Sequence, residues 1–357
     1  MVSLMQLSIS FFISIFLLIT VVGCENSSDV IKISGKTMGT QYHITIVTSS
    51  QSKARSVASL KQEIDHLLKG INQQMSTYIP DSEISLFNQY TGEDWFPVSE
   101  GLAKVVSAAQ LVSQQSSGLF DVTVSPLIDL WGFGAKTQLS LPTDDKINKA
   151  LENIGYKFLE SRFKPPALRK LKKKLRINLS AIAKGYAVDK LAELLTAKEY
   201  HNFLVEIGGE IRVEGKNASN KPWQIGIEMP DLSNAEVKEY LLLSDISLAT
   251  SGDYRNYFMD KGIRYSHTIN PITGRPITHN LASVTVLHRS AMMADAYATA
   301  LSVMGKERAK SFVVGGDHKL FINLITRESE GFKHWHNMNG TTLLHTSEKC
   351  KKWGGCN

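Results

Sequence analysis

Cysteine is scarce in this sequence: the 357 residues include three, Cys24, Cys350 and Cys356. None of them forms a Cys-x-x-Cys pair, which excludes the common zinc motifs and covalent haem attachment. In an oxidising compartment Cys350 and Cys356 could close a small disulfide loop, and two idle thiols are the alternative. The net charge of +6 is mild for this length. It argues against a dedicated nucleic-acid binder, which usually has a concentrated basic face.

The familiar nucleotide and hydrolase motifs are also missing. Gly35-Lys36-Thr37 looks like the end of a P-loop, but Val30 stands where the first glycine is required. Gly132-Phe133-Gly134 lacks the third glycine of a dinucleotide-binding turn. Neither His-Glu-x-x-His nor Gly-x-Ser-x-Gly occurs. The sequence is therefore neither a zincin-type metalloprotease nor an α/β-hydrolase of the usual kind.

The first residues are typical of an export signal. Met1 to Gly23 contains no acidic or basic residue, and Ile9 to Val22 is almost wholly apolar. This run is short for a membrane-spanning helix, which needs roughly 20 apolar residues. It ends at Gly23-Cys24, which resembles the bacterial lipobox, although the usual basic residue before the run is missing. We expect a signal peptide over 1–23, lipidation of Cys24 and a tether over 24–30.

An uncleaved anchor helix is the alternative, and both forms export the chain. The expected location is the periplasmic side of a bacterial membrane, the inner membrane in preference to the outer.

Strand and helix patterns mix along 31–335 without the regular rhythm of a doubly wound sheet. The sequence therefore predicts one α+β domain over 31–335, with mixed or antiparallel sheets and packed helices, followed by a tail over 336–357. The predicted strands are Ile31–Thr48, Phe203–Val213, Trp223–Glu228, Leu241–Ala249 and Ser283–Leu287. The predicted helices are Ser52–Met75, Gly101–Ser117, Asp144–Ile154, Tyr186–Leu195 and Ala291–Val314.

Four turns rich in glycine and hydroxyl residues follow or join these strands. Glycine lets a backbone come close to a ligand and lets N–H groups point at phosphate. One such turn is weak evidence, since ordinary tight turns have the same composition, but four favour a phosphate-bearing ligand. They are Thr37–Thr40, Ser180–Gly185, Glu206–Glu210 and Thr250–Asp253.

The helix predicted over Ala291–Val314 carries the sharpest local feature. Asp295 and Thr299 are four residues apart, so they share a face, and their neighbours are alanines that leave space for a ligand. A carboxylate and a hydroxyl are hard oxygen ligands that suit Mg²⁺ better than zinc. The alternative is an Asp that favours the helix dipole and a Thr that bonds back to its own helix.

These segments together resemble the ApbE family, the FAD:protein FMN transferases, from about Gly35 to about Phe332. The stretches that carry the resemblance are Met38-Gly39-Thr40, Met75-Ser76-Thr77-Tyr78, Phe120–Leu127, Leu130–Gly134, Leu179–Ala187, Val205–Glu210, Thr250–Tyr257, Ser266–Pro276 and Ala294-Asp295-Ala296.

The resemblance implies a role for each matching position. The implied FAD contacts are Met38, Tyr78, Leu119, Phe120, Asp121, Asn178, Lys184 and Ile269. The implied metal ligands are Asp295, Thr299 and the backbone carbonyl of Ala181. Two departures stand out: Asn178 replaces an Asp that many relatives have, and Ala298 replaces a second acid found in some.

The implied reaction is Mg²⁺-dependent transfer of FMN from FAD to a Thr or Ser hydroxyl of an exported protein, with release of AMP. His267, just before the turn at Asn270-Pro271, is the first candidate for the base and Asp253 the second; a structural His267 is an equal alternative. The implied acceptors are flavin-carrying subunits of membrane redox complexes, of the Na⁺-translocating NADH:quinone reductase or Rnf type. A FAD pyrophosphatase and a non-catalytic flavin-binding lipoprotein are the competing functions.

Overall fold

A computed structural model describes residues 28–49, 57–134, 141–230, 237–254, 256–316, 320–338 and 343–345. The expected signal peptide, the lipidation site Cys24 and the cysteines of the tail lie outside these ranges. None of the helices within the described ranges combines the length and the apolarity that a bilayer crossing requires.

The chain forms strands and helices in a mixed order. The helices are α1 (Val57–Met75), α2 (Glu83–Gln89), α3 (Glu100–Gln115), α4 (Ser125–Leu130), α5 (Asp144–Leu151), α6 (Ala183–Ala197), α7 (Ala291–Met304) and α8 (Lys306–Gly315). The first nine strands are β1 (Ser28–Thr37), β2 (Thr40–Ser49), β3 (Phe96–Pro97), β4 (Leu159–Phe163), β5 (Pro166–Lys170), β6 (Phe203–Ile207), β7 (Glu210–Glu214), β8 (Trp223–Glu228) and β9 (Val237–Leu243). The others are β10 (Ile246–Gly252), β11 (Tyr257–Asp260), β12 (Ile263–Ser266), β13 (Ile269–Asn270), β14 (Arg275–Pro276), β15 (Leu281–His288), β16 (Phe321–Glu328), β17 (Gly331–His336) and β18 (Leu343–His345).

An eight-stranded antiparallel sheet forms the centre of the domain, in the order β1-β2-β6-β7-β10-β15-β16-β17. Burial alternates along β2, because successive side chains point to opposite sides of a sheet. Tyr42, Ile44 and Ile46 are buried on one face. Helices α1, α3, α6 and α7 cover this face and share its hydrophobic core. The α+β prediction is therefore confirmed.

A smaller sheet, β18-β9-β8, covers part of the opposite face. Trp223, Ile225 and Ile227 of β8 pack there with Leu248 and Ile325 of the central sheet. The burial of β8 alternates along the whole strand. Strand β8 lies at the edge of its sheet and pairs with β9 on one side.

Several predicted elements are divided in the structure. The strands predicted at Ile31–Thr48, Phe203–Val213 and Leu241–Ala249 are each two strands, because two-residue turns interrupt them without disturbing the apolar alternation. The helix predicted over Ala291–Val314 is also two elements. It breaks at Gly305, whose φ of +75° is incompatible with a right-handed helix.

Helices α6 and α7 approach each other closely at their first turns. Gly185 lies on α6, and a Cβ atom there would stand 2.8 Å from the Cα of Met292 and close to the carbonyl of Ala291. Real Cβ atoms do not come this near to backbone, so a side chain at position 185 would force the helices apart. The contact therefore requires glycine.

We expect Gly185→Ala to lower the free energy of unfolding by about 1–3 kcal/mol, the cost of overpacking a rigid site. Gly70→Ala is the matched control, because Gly70 lies within α1 and has open space around its Cβ position. There alanine should stabilise the helix by roughly 0.5–1 kcal/mol. Urea unfolding measures both variants, and a Gly185→Ala protein as stable as the wild type would contradict the close approach.

Candidate functional site

A large cleft of about 1680 Å³ lies where several strands of the central sheet end. The β1–β2 turn, the β6–β7 turn and the end of β10 form its floor. The first turn of α6, one face of α7, the loop after α3 and the segment around His267 form its walls. Residues from elements far apart in sequence therefore meet in one place.

Two hairpin turns bring bare backbone to the cleft. Met38 and Gly39 join β1 to β2 with φ values of +50° and +73°, and Gly208 and Gly209 join β6 to β7 with +58° and +105°. Positive φ at both central residues matches the twist of the strands, and glycine adopts it without steric cost. No heavy atom lies within 4 Å of the Cβ position of Gly39 or Gly209. A ligand can therefore come directly against the peptide groups.

The three predicted metal ligands lie together on the wall of the cleft. Asp295 is 5% exposed, and its Oδ2 accepts a hydrogen bond of 3.0 Å from the backbone N–H of Gly185. Thr299 lies one turn further along α7, and Ala181 lies two residues before α6 begins; both line the cleft. The atoms that these three residues would offer to a metal are all oxygens, which is the ligand type that Mg²⁺ prefers.

An ion pair between Lys184 and Glu210 lies beside Asp295. The Nζ of Lys184 lies 2.8 Å from Oε1 of Glu210, and the Glu210 side chain is 4% exposed. Burial raises the pKa of Glu210 to about 8, with Lys184 opposing the shift and Asp295 adding to it. Burial also raises the pKa of Asp295, against the effects of Lys184 and the Gly185 N–H.

A cation fits this arrangement. Two buried carboxyl groups share one ammonium group, and Oε2 of Glu210 is buried without a hydrogen-bond partner. A divalent ion beside Asp295 would stabilise both carboxylates in their charged forms. Among the described residues no three His, Cys, Asp or Glu side chains gather as metal ligands. Asp295, Thr299 and the carbonyl of Ala181 would offer oxygen ligands to such an ion, and phosphate or water oxygens would complete its shell.

The position of Asp295 is set by reciprocal caps between the two helices. Asp189 of α6 accepts hydrogen bonds from the N–H groups of Ala291 and Met292, at 2.8 and 3.0 Å, and from the hydroxyl of Ser290. Asp295 of α7 in turn accepts the Gly185 N–H of α6. Each carboxylate satisfies N–H groups that a helix N-terminus leaves without partners. The caps fix the distance between the two helices.

The loop after α3 also lines the cleft, and buried Asp121 holds it. The Oδ1 of Asp121 accepts hydrogen bonds from the N–H and the hydroxyl of Thr123, at 2.8 and 2.6 Å. Its Oδ2 accepts the N–H of Tyr156 at 2.7 Å. Burial raises the pKa of Asp121, and these hydrogen bonds oppose the shift. Both oxygens have partners within the fold, so Asp121 positions its neighbours Leu119 and Phe120 along the cleft.

Tyr78 and Asn178 are two further predicted FAD contacts. Tyr78 lines the cleft with 72% of its surface exposed, which leaves its ring free for a planar ligand to stack on. Asn178 Oδ1 accepts the N–H of Ser180 at 2.8 Å, a local turn that leads the chain into α6. Asn178 therefore has a structural role in forming the turn before Ala181.

His267 faces the cleft from a segment held by stacked aromatic rings. The rings of Phe258 and Tyr265 stack at 5.1 Å, and Phe133 packs edge-on against His267 at 6.4 Å. The Nδ1 of His267 lies 2.9 Å from the carbonyl oxygen of Asn256. That contact is a hydrogen bond when Nδ1 carries the proton, which leaves Nε2 as an acceptor. Burial lowers the pKa of His267, so the ring is neutral at pH 7.

Asp253 is placed differently from the other predicted residues. Its carboxylate forms a two-bond ion pair with Arg327, at 2.6 and 2.8 Å, and Asp253 is not among the residues that line the cleft. Both oxygens already accept hydrogen bonds from a guanidinium group. This geometry disfavours the proposed role of Asp253 as a base and favours a structural one.

All the other residues predicted for FAD, metal or proton transfer line the one cleft: Met38, Tyr78, Leu119, Phe120, Asp121, Asn178, Ala181, Lys184, His267, Ile269, Asp295 and Thr299. Sequence reasoning missed Glu210, although its turn had been singled out for its glycines. It also missed Glu206. One carboxylate oxygen of Glu206 accepts a hydrogen bond of 2.7 Å from the N–H of Gly209, and the other lies 2.7 Å from Nδ1 of His43. The signal available in the sequence was an acidic residue on each side of the turn at Gly208-Gly209.

Comparison with known proteins gives a consistent result. The family model described as ApbE family matches residues 38–321. The chain is 42% identical over 321 residues to the FAD:protein FMN transferase of Vibrio cholerae, covering 89% of this chain and 94% of the relative. It is 39% identical over 333 residues to the FAD:protein FMN transferase of Haemophilus influenzae, covering 92% and 95%.

Solved structures agree with these relatives. The flavin transferase ApbE from Vibrio cholerae has a TM-score of 0.80 at 40% identity, covering 88% of this chain and 98% of that one. The apo form of the Pseudomonas stutzeri flavinyl transferase ApbE has a TM-score of 0.78 at 34% identity, covering 87% and 95%.

We expect the metal-free protein to lose stability as the pH rises from about 5 to about 8. Folded Glu210 keeps its proton up to a pKa of about 8, whereas its ordinary value is 4.5. The folded state therefore binds more protons than the unfolded state within this window, and raising the pH disfavours folding. Urea unfolding in EDTA at several pH values measures how steeply the free energy of unfolding falls with pH. Glu210→Gln should make this slope flatter.

Glu330→Gln is the matched loss of one carboxylate, because Glu330 lies in the exposed turn between β16 and β17. The free energy of unfolding of Glu330→Gln should change with pH as steeply as that of the wild type. Equal slopes for all three proteins would contradict the raised pKa of Glu210.

Proposed function

This chain belongs to the ApbE family, and we propose that it is a FAD:protein FMN transferase that joins FMN to a Thr or Ser hydroxyl of exported proteins with the aid of Mg²⁺. One observation carries the proposal. One cleft combines bare-backbone turns suited to phosphate with two buried carboxyl groups, those of Asp295 and Glu210, beside the ammonium group of Lys184. The resemblance to the ApbE family, which rested on sequence motifs, is confirmed by the family model and the relatives.

FAD binding is assigned to residues on two walls of the cleft. The exposed ring of Tyr78 offers a surface on which an aromatic ring of FAD can stack. Lys184 supplies a positive charge for the pyrophosphate, and the turn at Met38-Gly39 offers close backbone contact. The loop at Leu119 and Phe120, held by Asp121, gives the cleft an apolar wall.

Asp295, Thr299 and the carbonyl of Ala181 are the residues that would hold Mg²⁺. When bound, the ion would neutralise the charge that develops on the pyrophosphate oxygens during transfer. The cap from Gly185 leaves the second oxygen of Asp295 for this task, since the N–H binds Oδ2. Lys184 and Glu210 set the local charge beside it.

His267 is assigned to proton transfer. The acceptor hydroxyl oxygen forms a bond to the phosphorus on the riboflavin side of FAD as the pyrophosphate P–O bond breaks. AMP leaves with the bonding electron pair, and the hydroxyl proton passes to Nε2 of His267. The hydrogen bond between Nδ1 and the Asn256 carbonyl orients the ring for this step.

The proposal extends to the place of reaction and to the acceptors. The apolar first residues and the lipobox-like Gly23-Cys24 support a lipid-anchored enzyme at the periplasmic side of the membrane. An enzyme tethered there would meet the exported domains of membrane redox complexes. We propose the flavin-carrying subunits of Na⁺-translocating NADH:quinone reductase or Rnf complexes as acceptors.

The direct test is mass spectrometry of an acceptor domain after incubation with the enzyme, FAD and Mg²⁺. The soluble flavin-carrying domain of a Na⁺-translocating NADH:quinone reductase subunit is a suitable acceptor. We expect the mass of one FMN group to be added and AMP to be released. Release of AMP without protein labelling would instead indicate a FAD pyrophosphatase, and absence of both would contradict the proposal.

Asp295→Asn should reduce transfer by at least roughly 10–100-fold, the loss that follows when even an outer-sphere partner of a metal ligand is removed. The amide keeps the shape of the side chain but removes the charge that binds the cation. Asp145→Asn, in the exposed first turn of α5, is the matched control and should transfer FMN at the wild-type rate. Titration with Mg²⁺ during the labelling assay measures both, and an unchanged Mg²⁺ dependence in Asp295→Asn would refute the metal assignment.

The rate of transfer should stay high as the pH falls to 6.5 and decline below it. A base must be neutral to accept a proton, and burial lowers the pKa of His267 from its ordinary 6.5. Loss of a general base typically slows a reaction roughly 10²–10⁴-fold, and we expect this of His267→Gln. The pH profile of kcat measures both effects. If the rate of His267→Gln still declined below pH 6.5, His267 would be excluded as the cause of that decline.

A further inference from the structure

The positive charge of this chain is concentrated in one segment. Residues 156–176 contain nine Lys or Arg residues and one acidic residue, Glu160. The whole chain has 40 basic and 34 acidic residues, so the rest of it carries 31 and 33. The net charge of +6 therefore comes from this segment alone. None of the residues 156–176 lines the cleft, so the FAD and metal assignments leave their charge unexplained.

The segment is joined to the wall of the cleft near both of its ends. Near its start, the N–H of Tyr156 donates a hydrogen bond of 2.7 Å to Oδ2 of Asp121, a residue of the cleft lining. At its end, Nη2 of Arg176 lies 2.7 Å from Oδ2 of Asp129. Two residues later the chain reaches Asn178, which lines the cleft. The most basic surface of the protein therefore lies beside the cleft.

Four lysines of this segment form a surface that we call the basic rim: Lys157, Lys172, Lys173 and Lys174. The N–H of Leu171 donates to the carbonyl of Phe158 at 2.8 Å, which places the residues that follow β5 beside those that precede β4. The Nζ of Lys172 bonds the carbonyl of Glu152 and lies 3.8 Å from the centre of the Phe158 ring. These contacts hold Lys172 in place, whereas the other three lysines are exposed.

The exposed amines of the rim are available to a partner. Within the part of the chain that the structure describes, no acidic side chain pairs with Lys157 or Lys174. Lys173 lies 3.3 Å from Glu93, but the two side chains are 66% and 79% exposed. An ion pair this exposed contributes little to stability, so Lys173 can exchange Glu93 for another carboxylate.

The proposed reaction indicates which partner fits the rim. A Thr or Ser of the acceptor protein must enter the cleft, so the surface around that residue has to cover the mouth of the cleft. FAD does not explain the rim, because the rim lysines lie outside the cleft lining. Complementary charge beside a contact raises the rate of association and fixes the orientation of the partner.

We propose that the basic rim binds an acidic surface of the acceptor protein and thereby directs the acceptor hydroxyl into the cleft. This inference rests on the proposed transferase function. It names the chemistry of the acceptor surface, which is a group of Asp or Glu side chains near the residue to be modified.

The combined variant Lys157→Gln, Lys173→Gln and Lys174→Gln tests the proposal. Glutamine keeps a long polar side chain but removes the charge. We expect kcat/KM for the acceptor domain to fall by roughly tenfold at low ionic strength, the lower end of the range for electrostatic steering. The difference from the wild type should shrink as NaCl is added, because salt screens exposed charges. The KM for FAD should stay at the wild-type value.

The matched control removes three other lysines and the same charge. Lys69 of α1, Lys104 of α3 and Lys216, just after β7, are exposed and lie outside the cleft lining. Their combined replacement by Gln should leave kcat/KM for the acceptor domain unchanged. An equal fall in both variants would mean that total charge matters, and it would overturn the assignment to the rim.

The remaining outcomes separate this inference from the proposed function. A wild-type enzyme that labels no acceptor refutes the transferase function itself. An active wild type with unchanged kcat/KM in the rim variant refutes acceptor binding alone. If that variant also lost binding to phosphatidylglycerol vesicles, the rim would be assigned to a membrane. A higher KM for FAD in the rim variant would assign the lysines to FAD, which also overturns the inference.

A second measurement uses the wild-type chain and needs no variant to fold. A zero-length carbodiimide reagent joins a lysine amine to a carboxylate that lies against it. With enzyme and acceptor domain mixed, we expect mass spectrometry to find links from Lys157, Lys173 or Lys174 to Asp or Glu of the acceptor. Links from other lysines alone, or no links at all, would contradict the proposal.

Discussion

The candidate site depends on how closely the first turns of α6 and α7 approach each other. Asp189 caps α7 from α6, and Asp295 caps α6 from α7, across a contact that leaves no space for a side chain at Gly185. A helix N-terminus has N–H groups without partners and a partial positive charge, so each carboxylate is stabilised by the other helix. The same caps determine where Asp295 and Lys184 meet the cleft.

This arrangement has an electrostatic consequence. Asp295 and Glu210 are buried near each other with Lys184 as their shared cation, and burial raises both carboxyl pKa values. Burying a carboxylate is costly unless it is paired or binds a metal. A fold optimised for stability alone would place apolar side chains here. Two buried carboxyl groups beside one ammonium group are therefore best explained by a positively charged ligand, which would hold both in their charged forms. The backbone N–H groups nearby suit an anion such as pyrophosphate.

Local signals predicted much of the fold and of the site, and they failed where the determinant is distant in sequence. Trp223–Glu228 was predicted to the residue, because its alternation ends at both boundaries. The turn at Met38-Gly39 was recognised as a glycine turn, yet the strand was drawn through it, since two residues do not disturb a period of two. Asp295 and Thr299 were found because they are one helical turn apart. Glu210 was missed because its partner Lys184 lies on another element, with no periodicity linking them.

The same reasoning separates the two carboxylates beside the cleft that the sequence could not distinguish. Asp253 and Asp295 both follow small residues near predicted turns or helices. Arg327 binds Asp253 through both oxygens, and this pair joins the end of β10 to β16. Asp295 has instead a single backbone N–H on one oxygen and faces the cleft. A carboxylate that is fully paired contributes to the fold, whereas one that is buried and only partly paired is available to a ligand. What a carboxylate can do chemically is therefore decided by its partners, and those partners come from residues distant in sequence.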